Sequence, residues 1–272
     1  MKNHFTLFAL LFSFQFLNAQ LNFTFVGQYQ YDITISDVWG YVAPDSTEYA
    51  IVGKDNGVSI VNLSDPANPV ESDFIPGILS GWRDIKTWGE HAYVINEDGN
   101  GLAVIDLSNL PGTVTAYDWA PAIPGLGTLN TCHNIYIDEH GYAYLVGCNL
   151  NNGGMIFVDV FSNPGNPEYV GVAPAVYSHD VYVRDNLAYS SEINQGVFSV
   201  YDVSDKDAPV LLSSQATPAN FSHNAWPSDD SKILFTTDEV GGAPVASYDI
   251  SDLSDIKELD QFRPLETLGD GV

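Results

Sequence analysis

Three histidines share one local context and are the residues of this sequence best suited to chemistry. His133, His179 and His223 each directly precede an Asn or an Asp. Neutral imidazole binds zinc, copper or iron, and three histidines from neighbouring elements leave one coordination position open. Two other interpretations remain. The histidines could hydrogen-bond to the backbone of a neighbouring element, because buried polar groups need partners, or they could recognise a ligand directly.

The polar residue after each histidine belongs to a series of five, which we call the pivots. The pivots are Asp37, Asp84, Asn134, Asp180 and Asn224, in the stretches "SDVWGYV" (36–42), "WRDIKTW" (82–88), "CHNIYI" (132–137), "SHDVYV" (178–183) and "SHNAWP" (222–227). Ser36 and Arg83 take the place of the histidine in the first two. We expect the pivots to make structural hydrogen bonds. With the three histidines, the last four pivots are also candidates for ligand binding.

Five polar loops, rich in Gly, Asn and acidic residues, are expected on the same face as the histidines. They are "KDNG" (54–57), "NEDGNG" (96–101), "NLNNGG" (149–154), "EINQG" (192–196) and "DEVGG" (238–242). The second has clustered oxygen ligands of the kind that calcium prefers, but it lacks the spacing and the closing Glu of an EF-hand loop. A solvated turn is the better interpretation. A divalent metal, calcium or a transition metal, is therefore a possible cofactor, and none is certain.

No catalytic signature accompanies these residues. GxSxG, HExxH, P-loop and dinucleotide-binding patterns are all missing from the sequence. The chain has 35 acidic and nine basic residues and a formal net charge of −26, so its electric field repels nucleic acids. Cations, basic partners and neutral glycans remain compatible with this charge.

The elements that position these residues form a repeat. A second marker, an Asn or Asp after a short apolar run, recurs at Asn62, Asp106, Asp159, Asp202 and Asp249. Successive markers are 44, 53, 43 and 47 residues apart, and each lies 22 or 25 residues after its pivot. Short alternating segments separated by turn residues predict four strands in each unit. This period is typical of the four-stranded blades of a β-propeller, an all-β fold.

The repeat divides the chain into five predicted units, 31–75, 76–124, 125–173, 174–217 and 218–264. Residues 22–30, "NFTFVGQYQ", resemble one further outer strand, whereas 256–262 complete the fifth unit. A ring closed by pairing its terminal strands needs complementary ends. We therefore expect the chain to be truncated before ring closure, with at least one further blade after Val272. A five-bladed ring with a spare N-terminal strand is the alternative.

The pattern "SHDVYV…AYSS…GVFSVYDVSDKDAPV", in which the pivot and the second marker keep a fixed spacing, resembles the LVIVD-repeat propellers. The run from Ser36 to Pro264 is similar to the secreted "choice-of-anchor B" family of bacterial surface proteins, notably in "CHNIYIDEHGYAYLVGCN" and "SHNAWPSDDSKILFTTDE". This resemblance implies a β-propeller that is exported and held outside the cell by anchors that vary among members. It implies no established catalytic activity and therefore no catalytic residues.

Two cysteines and five tryptophans complete the candidate residues. If the turn "DEHG" (138–141) joins two strands, Cys132 lies opposite Cys148, and a disulfide is expected in an exported protein. Free buried thiols and metal ligation beside His133 are the alternatives. The tryptophans could form a platform for sugars, although packing between blades is their commoner role. They are Trp39, Trp82, Trp88, Trp119 and Trp226.

The N-terminus has the layout of a secretory signal peptide. Lys2 and His4 precede an apolar run over residues 5–16, and cleavage is expected after Ala19. No other stretch approaches the roughly 20 apolar residues of a membrane-spanning helix. The sequence thus favours a secreted or cell-surface, monomeric, non-enzymatic β-propeller that acts as a binding or scaffolding module for an unknown extracellular protein or glycan. The alternative is a metal-dependent, lactonase-like hydrolase that uses the histidines and acidic residues.

Overall fold

The computed structural model describes residues 24–263, and nearly all of its regular structure is antiparallel β-sheet. Five sheets have four strands each, in simple chain order, and we call them blades 1 to 5. One two-stranded hairpin follows blade 2, and one short 3-10 helix, Asn151–Gly153, lies in blade 3. No helix within the described residues is long and apolar enough to cross a membrane. The all-β class and the four-stranded units predicted from the sequence are confirmed.

The strands of blades 1 to 3 follow the chain from the inside outward. Blade 1 contains β1 (Ile35–Val42), β2 (Glu48–Lys54), β3 (Gly57–Asn62) and β4 (Val70–Pro76). Blade 2 contains β5 (Arg83–Trp88), β6 (His91–Asn96), β7 (Leu102–Asp106) and β8 (Thr115–Trp119), and the hairpin contains β9 (Ala122–Ile123) and β10 (Gly127–Thr128). Blade 3 contains β11 (Asn134–Ile137), β12 (Tyr142–Val146), β13 (Ile156–Asp159) and β14 (Glu168–Val172).

Blades 4 and 5 repeat the same order. Blade 4 contains β15 (Val181–Arg184), β16 (Leu187–Glu192), β17 (Val197–Asp202) and β18 (Val210–Ala216). Blade 5 contains β19 (Ser222–Pro227), β20 (Ile233–Asp238), β21 (Val245–Asp249) and β22 (Lys257–Phe262). Each pivot therefore lies at or near the start of an innermost strand, as the repeat predicted.

The second repeat marker ends the third strand of every blade by forming a turn. In each blade the Oδ1 atom of the marker accepts a hydrogen bond from the backbone N–H two residues later, at 2.8 or 2.9 Å, which is an Asx turn. The five pairs are Asn62 with Ser64, Asp106 with Ser108, Asp159 with Phe161, Asp202 with Ser204 and Asp249 with Ser251. The spacing of this marker thus reflects one turn that is repeated in all five blades.

The core lies between consecutive blades. Four clusters of buried apolar side chains join blades 1 and 2, 2 and 3, 3 and 4, and 4 and 5. The middle strands have both faces covered, as in β17, where Val200 is buried in the cluster between blades 4 and 5 and the adjacent Tyr201 in the cluster between blades 3 and 4. Burial of one such side chain stabilises the fold by roughly 1.5–3 kcal/mol. Within residues 24–263 no cluster joins blade 5 to blade 1, and both the number of blades and the way the ring closes stay predictions.

One predicted element is not formed. The sequence suggested an outer strand over 22–30, but residues 24–34 contain no strand, and residues 22 and 23 lie outside the described range. The segment instead lies against blade 1 through side chains: the Tyr31 hydroxyl donates to Ser59 Oγ at 2.9 Å. An alternating sequence forms a strand only where a sheet edge receives its backbone hydrogen bonds, and residues 24–34 pair with no strand of the described residues. The predicted signal peptide also lies outside that range.

Candidate functional site

The pivots connect the innermost strands of neighbouring blades. Each of the first four accepts a hydrogen bond from the blade that follows it. The donors are the N–H of Ile85 to Asp37 (2.9 Å), the N–H of Ile135 and Nδ2 of Asn134 to Asp84 (3.0 and 2.6 Å), the N–H of Val181 to Asn134 (3.1 Å) and Nδ2 of Asn224 to Asp180 (2.8 Å). These bonds give the pivots the structural role that was expected from their repetition.

The pivot Asp84 also forms the closest buried ion pair of the described residues. Its Oδ1 atom lies 2.5 Å from Nζ of Lys86, and both side chains are nearly buried. The ammonium group of Lys86 lies 4.4 Å from the centre of the Trp39 ring, within the range of a cation–π contact. A single cation from blade 2 therefore links a carboxylate to an aromatic ring of blade 1.

The side chains two positions after the pivots surround a central cavity of about 200 Å³. They are Trp39, Lys86, Tyr136, Tyr182 and Trp226, one from each blade. We call this set the cavity belt. Because side chains alternate along a strand, residues at positions 0 and +2 face the same side, so the belt and the pivots line one wall. Trp226 is 48% exposed and is the most accessible of the four aromatic rings.

The aromatic rings of the belt contact one another across the blades. The centres of Tyr136 and Tyr182 are 4.6 Å apart, and those of Tyr182 and Trp226 are 4.3 Å apart. Sequence reasoning missed this belt, because it treated the tryptophans as one group. Their spacing from the pivots separates them. Trp39 and Trp226 lie two residues after a pivot and line the cavity, whereas Trp88 and Trp119 pack in the core between blades 2 and 3.

The three histidines form a row directly before the pivots Asn134, Asp180 and Asn224, and His223 lines the cavity. We call this row the mouth of the cavity. The ring centres of His133 and His179 are 3.9 Å apart, and those of His179 and His223 are 4.7 Å apart. Loop carboxylates reach the row as the sequence predicted. Glu97 contacts His133 Nδ1 at 2.6 Å, and Glu239 lies 3.9 Å from His179 Nε2.

Two overlapping groups in this row have the composition of a metal site, with one ligand atom from each residue and all atoms within 4.8 Å. The first is His133, His179 and Asp180, and the second is His179, His223 and Glu239. The sequence proposed the three histidines as one set of ligands. The structure instead groups them in pairs, each completed by a carboxylate.

The electrostatics of the row are uneven. Burial tends to lower the pKa of His179, but the carboxylates of Asp180 and Glu239 outweigh it and raise that pKa above its usual value. Burial lowers the pKa of His223, and the neighbouring His179 lowers it further. Burial tends to raise the pKa of Asp180, but His179 and Asn224 hold it below its usual value. The carboxylates give the row a negative character. Within it, His179 binds a proton more readily than the neighbouring His223.

The corresponding positions in blades 1 and 2 have no free imidazole or carboxylate. The guanidinium of Arg83 is buried and donates hydrogen bonds to the carbonyl oxygens of Lys54, at 2.7 Å, and Ile78. The hydroxyl of Ser36 accepts a hydrogen bond from the N–H of Arg83 at 3.1 Å. These two residues hold the loops of blades 1 and 2. The imidazoles of the mouth therefore come from blades 3 to 5, and blade 2 contributes the carboxylate of Glu97.

The loop "NEDGNG" forms a turn, as the sequence favoured over a calcium site. Oδ1 of Asn96 accepts hydrogen bonds from the N–H groups of Asp98 and Gly99, both at 2.9 Å. The Nδ2 atom of Asn96 donates to the carbonyl of Gly99 at 2.7 Å. The side chain that could provide the first oxygen ligand is thus used within the loop, and Glu97 extends to His133 instead.

The disulfide predicted across the hairpin of blade 3 is confirmed. Cys132 and Cys148 are bonded, and both are buried. Strands β11 and β12 pair in the predicted register, with Asn134 opposite Val146. Because Cys132 immediately precedes His133, the disulfide fixes the start of the segment that carries the first histidine of the row.

Comparisons with known proteins support the repeat and the fold. The model of the LVIVD repeat matches residues 46–74, 82–114 and 135–173, in blades 1, 2 and 3. The narrower choice-of-anchor B assignment stays a prediction. No curated protein matches the chain.

Solved structures share the fold at low sequence identity. A functionally unknown protein from Desulfotomaculum acetoxidans aligns with a TM-score of 0.65 and 12% identity over 89% of this chain and 76% of the other. The periplasmic gluconolactonase PpgL of Pseudomonas aeruginosa aligns with a TM-score of 0.56 and 12% identity over 82% of this chain and 71% of the other. The β-propeller domain of Cps50 (Swd1) from Myceliophteria thermophila aligns with a TM-score of 0.56 and 11% identity over 86% of this chain and 76% of the other. The chain therefore has a β-propeller fold.

Proposed function

We propose that this chain is an exported, non-enzymatic β-propeller that binds a neutral glycan in its central cavity, as a binding module at the cell surface or outside the cell. The observation that carries the proposal is the cavity wall, where the aromatic rings of the belt lie beside pivot carboxylates and amides. Sugar rings pack their C–H faces on aromatic rings, and their hydroxyl groups donate hydrogen bonds to carboxylate and amide oxygens.

The size and charge of the cavity narrow the class of ligand. Its volume of about 200 Å³ is below the roughly 300–1,000 Å³ of sites that enclose drug-sized ligands, so we expect it to hold one terminal sugar of a longer glycan. The net charge of −26 disfavours acidic glycans and nucleic acids, because like charges repel before contact. Neutral glycans avoid this repulsion.

Export is supported by two features of the chain. The N-terminal sequence has the layout of a secretory signal peptide, with cleavage proposed after Ala19. The bond between Cys132 and Cys148 is of a kind that persists in oxidising compartments outside the cytosol. The resemblance to choice-of-anchor B proteins supports attachment at the cell surface. A single β-propeller domain is proposed to act as a monomer.

The experiment that tests the function is a titration of the exported chain with a panel of neutral oligosaccharides. Tryptophan fluorescence and calorimetry measure the binding. Trp226 is half-exposed beside the cavity, so we expect its emission to change on binding. Trp226→Ala should weaken binding roughly tenfold, equivalent to about 1.4 kcal/mol, because a stacking surface is lost. Phe262→Ala is the matched control, since this exposed aromatic residue lies on the outermost strand of the same blade.

Equal affinities of the Trp226 and Phe262 variants for a bound glycan would contradict a site in the cavity. Binding of a protein partner that Trp226→Ala leaves unchanged would place recognition on the outer strands instead. Failure of the whole panel to bind would remove neutral glycans as the ligand class.

A metal-dependent, lactonase-like hydrolase is the second candidate. Two observations favour it: the imidazole and carboxylate groups converge at the mouth, and a periplasmic gluconolactonase is among the proteins of similar fold. Hydrolysis of gluconolactone followed with added zinc discriminates between the candidates. Turnover that is lost in His179→Ala would favour the hydrolase, whereas a rate equal to the spontaneous reaction would favour binding alone.

A further inference from the structure

Two buried imidazole nitrogens at the cavity mouth have no hydrogen-bond partner. They are Nε2 of His133 and Nδ1 of His179. Both face one oxygen of Asp180: Oδ1 lies 3.9 Å from the first nitrogen and 3.2 Å from the second, without the alignment of a hydrogen bond to either. The side chains of His179 and Asp180 are 10% and 11% exposed. Buried polar atoms without partners are uncommon and call for a specific explanation.

We propose that Nε2 of His133, Nδ1 of His179 and Oδ1 of Asp180 are the ligands of one divalent transition-metal ion of the zinc type. Metal–ligand bonds of about 2.0 Å in a tetrahedron place ligand atoms roughly 3.3 Å apart. The separation of Asp180 Oδ1 from His179 Nδ1, 3.2 Å, is close to this value. Its separation from His133 Nε2, 3.9 Å, is longer, so a bound ion requires the His133 ring to move toward Asp180. Three protein ligands leave the fourth position for water or a ligand.

The residues around the three ligands orient them for a metal. Oε1 of Glu97 lies 2.6 Å from Nδ1 of His133, so the proton of this ring is held on Nδ1 and the lone pair of Nε2 faces Asp180. This carboxylate–histidine arrangement is common behind metal-bound imidazoles. The amide of Asn224 donates to Oδ2 of Asp180 at 2.8 Å, which leaves Oδ1 available. Trp82 stacks on the ring of His133, with the two planes 4° apart.

The ligand set selects the class of ion. Calcium and magnesium bind through six or more oxygen atoms, and two imidazoles cannot replace them. Two imidazoles and one carboxylate suit zinc and related transition metals. The second group, His179, His223 and Glu239, is the competing site, because His179 can direct either nitrogen to an ion. Its Glu239 side chain is 53% exposed and lies 3.9 Å from His179 Nε2, so it is less constrained than Asp180.

This metal site goes beyond the proposed glycan binding and does not depend on it. Zinc can bind at the mouth whether or not a sugar occupies the cavity belt. Trp226→Ala and His179→Ala separate the two sites, because Trp226 lines the cavity and His179 belongs to the row, whereas Asp180 belongs to both. A failure to bind glycans would leave the zinc result unchanged, and the reverse also holds.

The test is calorimetric titration of the metal-stripped full chain, produced without a polyhistidine tag, with Zn²⁺. We expect one ion per chain. His179→Ala and Asp180→Asn should each weaken zinc binding at least 100-fold, and Glu97→Gln should weaken it roughly 10-fold, as is typical for a residue that orients a ligand. His140→Ala is the matched control, because this exposed histidine also lies beside a glutamate, Glu139, at 3.5 Å, and should leave binding unchanged. An excess of Ca²⁺ should not compete.

Circular dichroism of each variant shows whether it is folded. If His179→Ala does not fold, His133→Ala replaces it, because the His133 ring is more accessible and lies at the edge of the row. Loss of zinc binding in Glu239→Gln with normal binding in Asp180→Asn would overturn the assignment in favour of the second group. Absence of zinc binding, or equal binding by Asp180→Asn, Glu239→Gln and His140→Ala, would overturn the metal site itself.

Discussion

At the scale of single residues, Asp84 carries more interactions than any other pivot. Its carboxylate accepts hydrogen bonds from the N–H of Ile85 and Ile135, from the amide of Asn134 and from the ammonium group of Lys86, at 2.5 to 3.0 Å. It therefore joins blades 2 and 3 while compensating a buried cation. Removal of one member of a buried ion pair is costly, because the other charge remains without a partner.

We predict that Asp84→Ala lowers the free energy of unfolding by about 3–5 kcal/mol, since Lys86 is left buried and unpaired. The double variant Asp84→Ala with Lys86→Met should be more stable than Asp84→Ala alone, because the uncompensated charge is gone. Because burial raises the pKa of Asp84 to about 7, urea unfolding above that pH, where the carboxylate is ionised, measures both. Asp229→Ala, on an exposed turn, should change stability by less than about 0.5 kcal/mol. A double variant less stable than Asp84→Ala would show that the cation is not the source of the cost.

The sequence was sufficient to find the residues of the mouth but not their grouping. A repeat reveals which residues are equivalent, so the pivots and His133, His179 and His223 were identified together. It does not reveal how side chains from neighbouring blades meet. Asp180 was expected as a pivot and as a candidate for ligand binding, but not as the carboxylate that faces two imidazole nitrogens, and Glu97 was predicted only as part of a loop. These contacts depend on side-chain rotations that no spacing encodes.

At the scale of elements, the hairpin of β11 and β12 was predictable in detail. A turn at 138–141 fixes the register, because strands on either side of a turn pair residue by residue. The observed pairs Ile135 with Leu145 and Tyr136 with Tyr144 follow from it, as does the bond between the two cysteines. The N-terminal segment at 24–34 shows the limit of such reasoning, because its strand-like sequence depends on an edge that only the tertiary structure can provide.

We predict that the double variant Cys132→Ser with Cys148→Ser lowers the free energy of unfolding by about 3 kcal/mol. The bond closes a loop of 16 residues, and its loss restores the conformational entropy of that loop in the unfolded chain. Urea unfolding with and without a reductant measures the effect. The reductant should destabilise the wild-type chain and leave the serine variant unchanged. Equal stability of both oxidised proteins would mean that hairpin pairing alone holds this segment.

At the scale of the whole molecule, the apolar interfaces between blades must hold together a strongly charged chain. The four clusters bury their side chains almost completely, whereas the outermost strand β22 is exposed along its length. The formal net charge is −26, and acidic side chains therefore repel one another across the surface. Self-repulsion of this kind destabilises a compact state relative to an expanded one.

We predict that sodium chloride stabilises this protein against heat. The distance over which charges interact falls from about 30 Å at 0.01 M salt to about 10 Å at 0.1 M, so added salt screens the repulsion in the folded state more than in the expanded chain. The melting temperature should rise by several degrees over about this range of concentration and level off above it, because screening is then nearly complete. Sucrose at equal osmolarity is the control, since it acts by exclusion from the surface and gives no such plateau. A melting temperature that falls with added salt would mean that attractive surface pairs such as Lys257 with Asp255 outweigh the net charge.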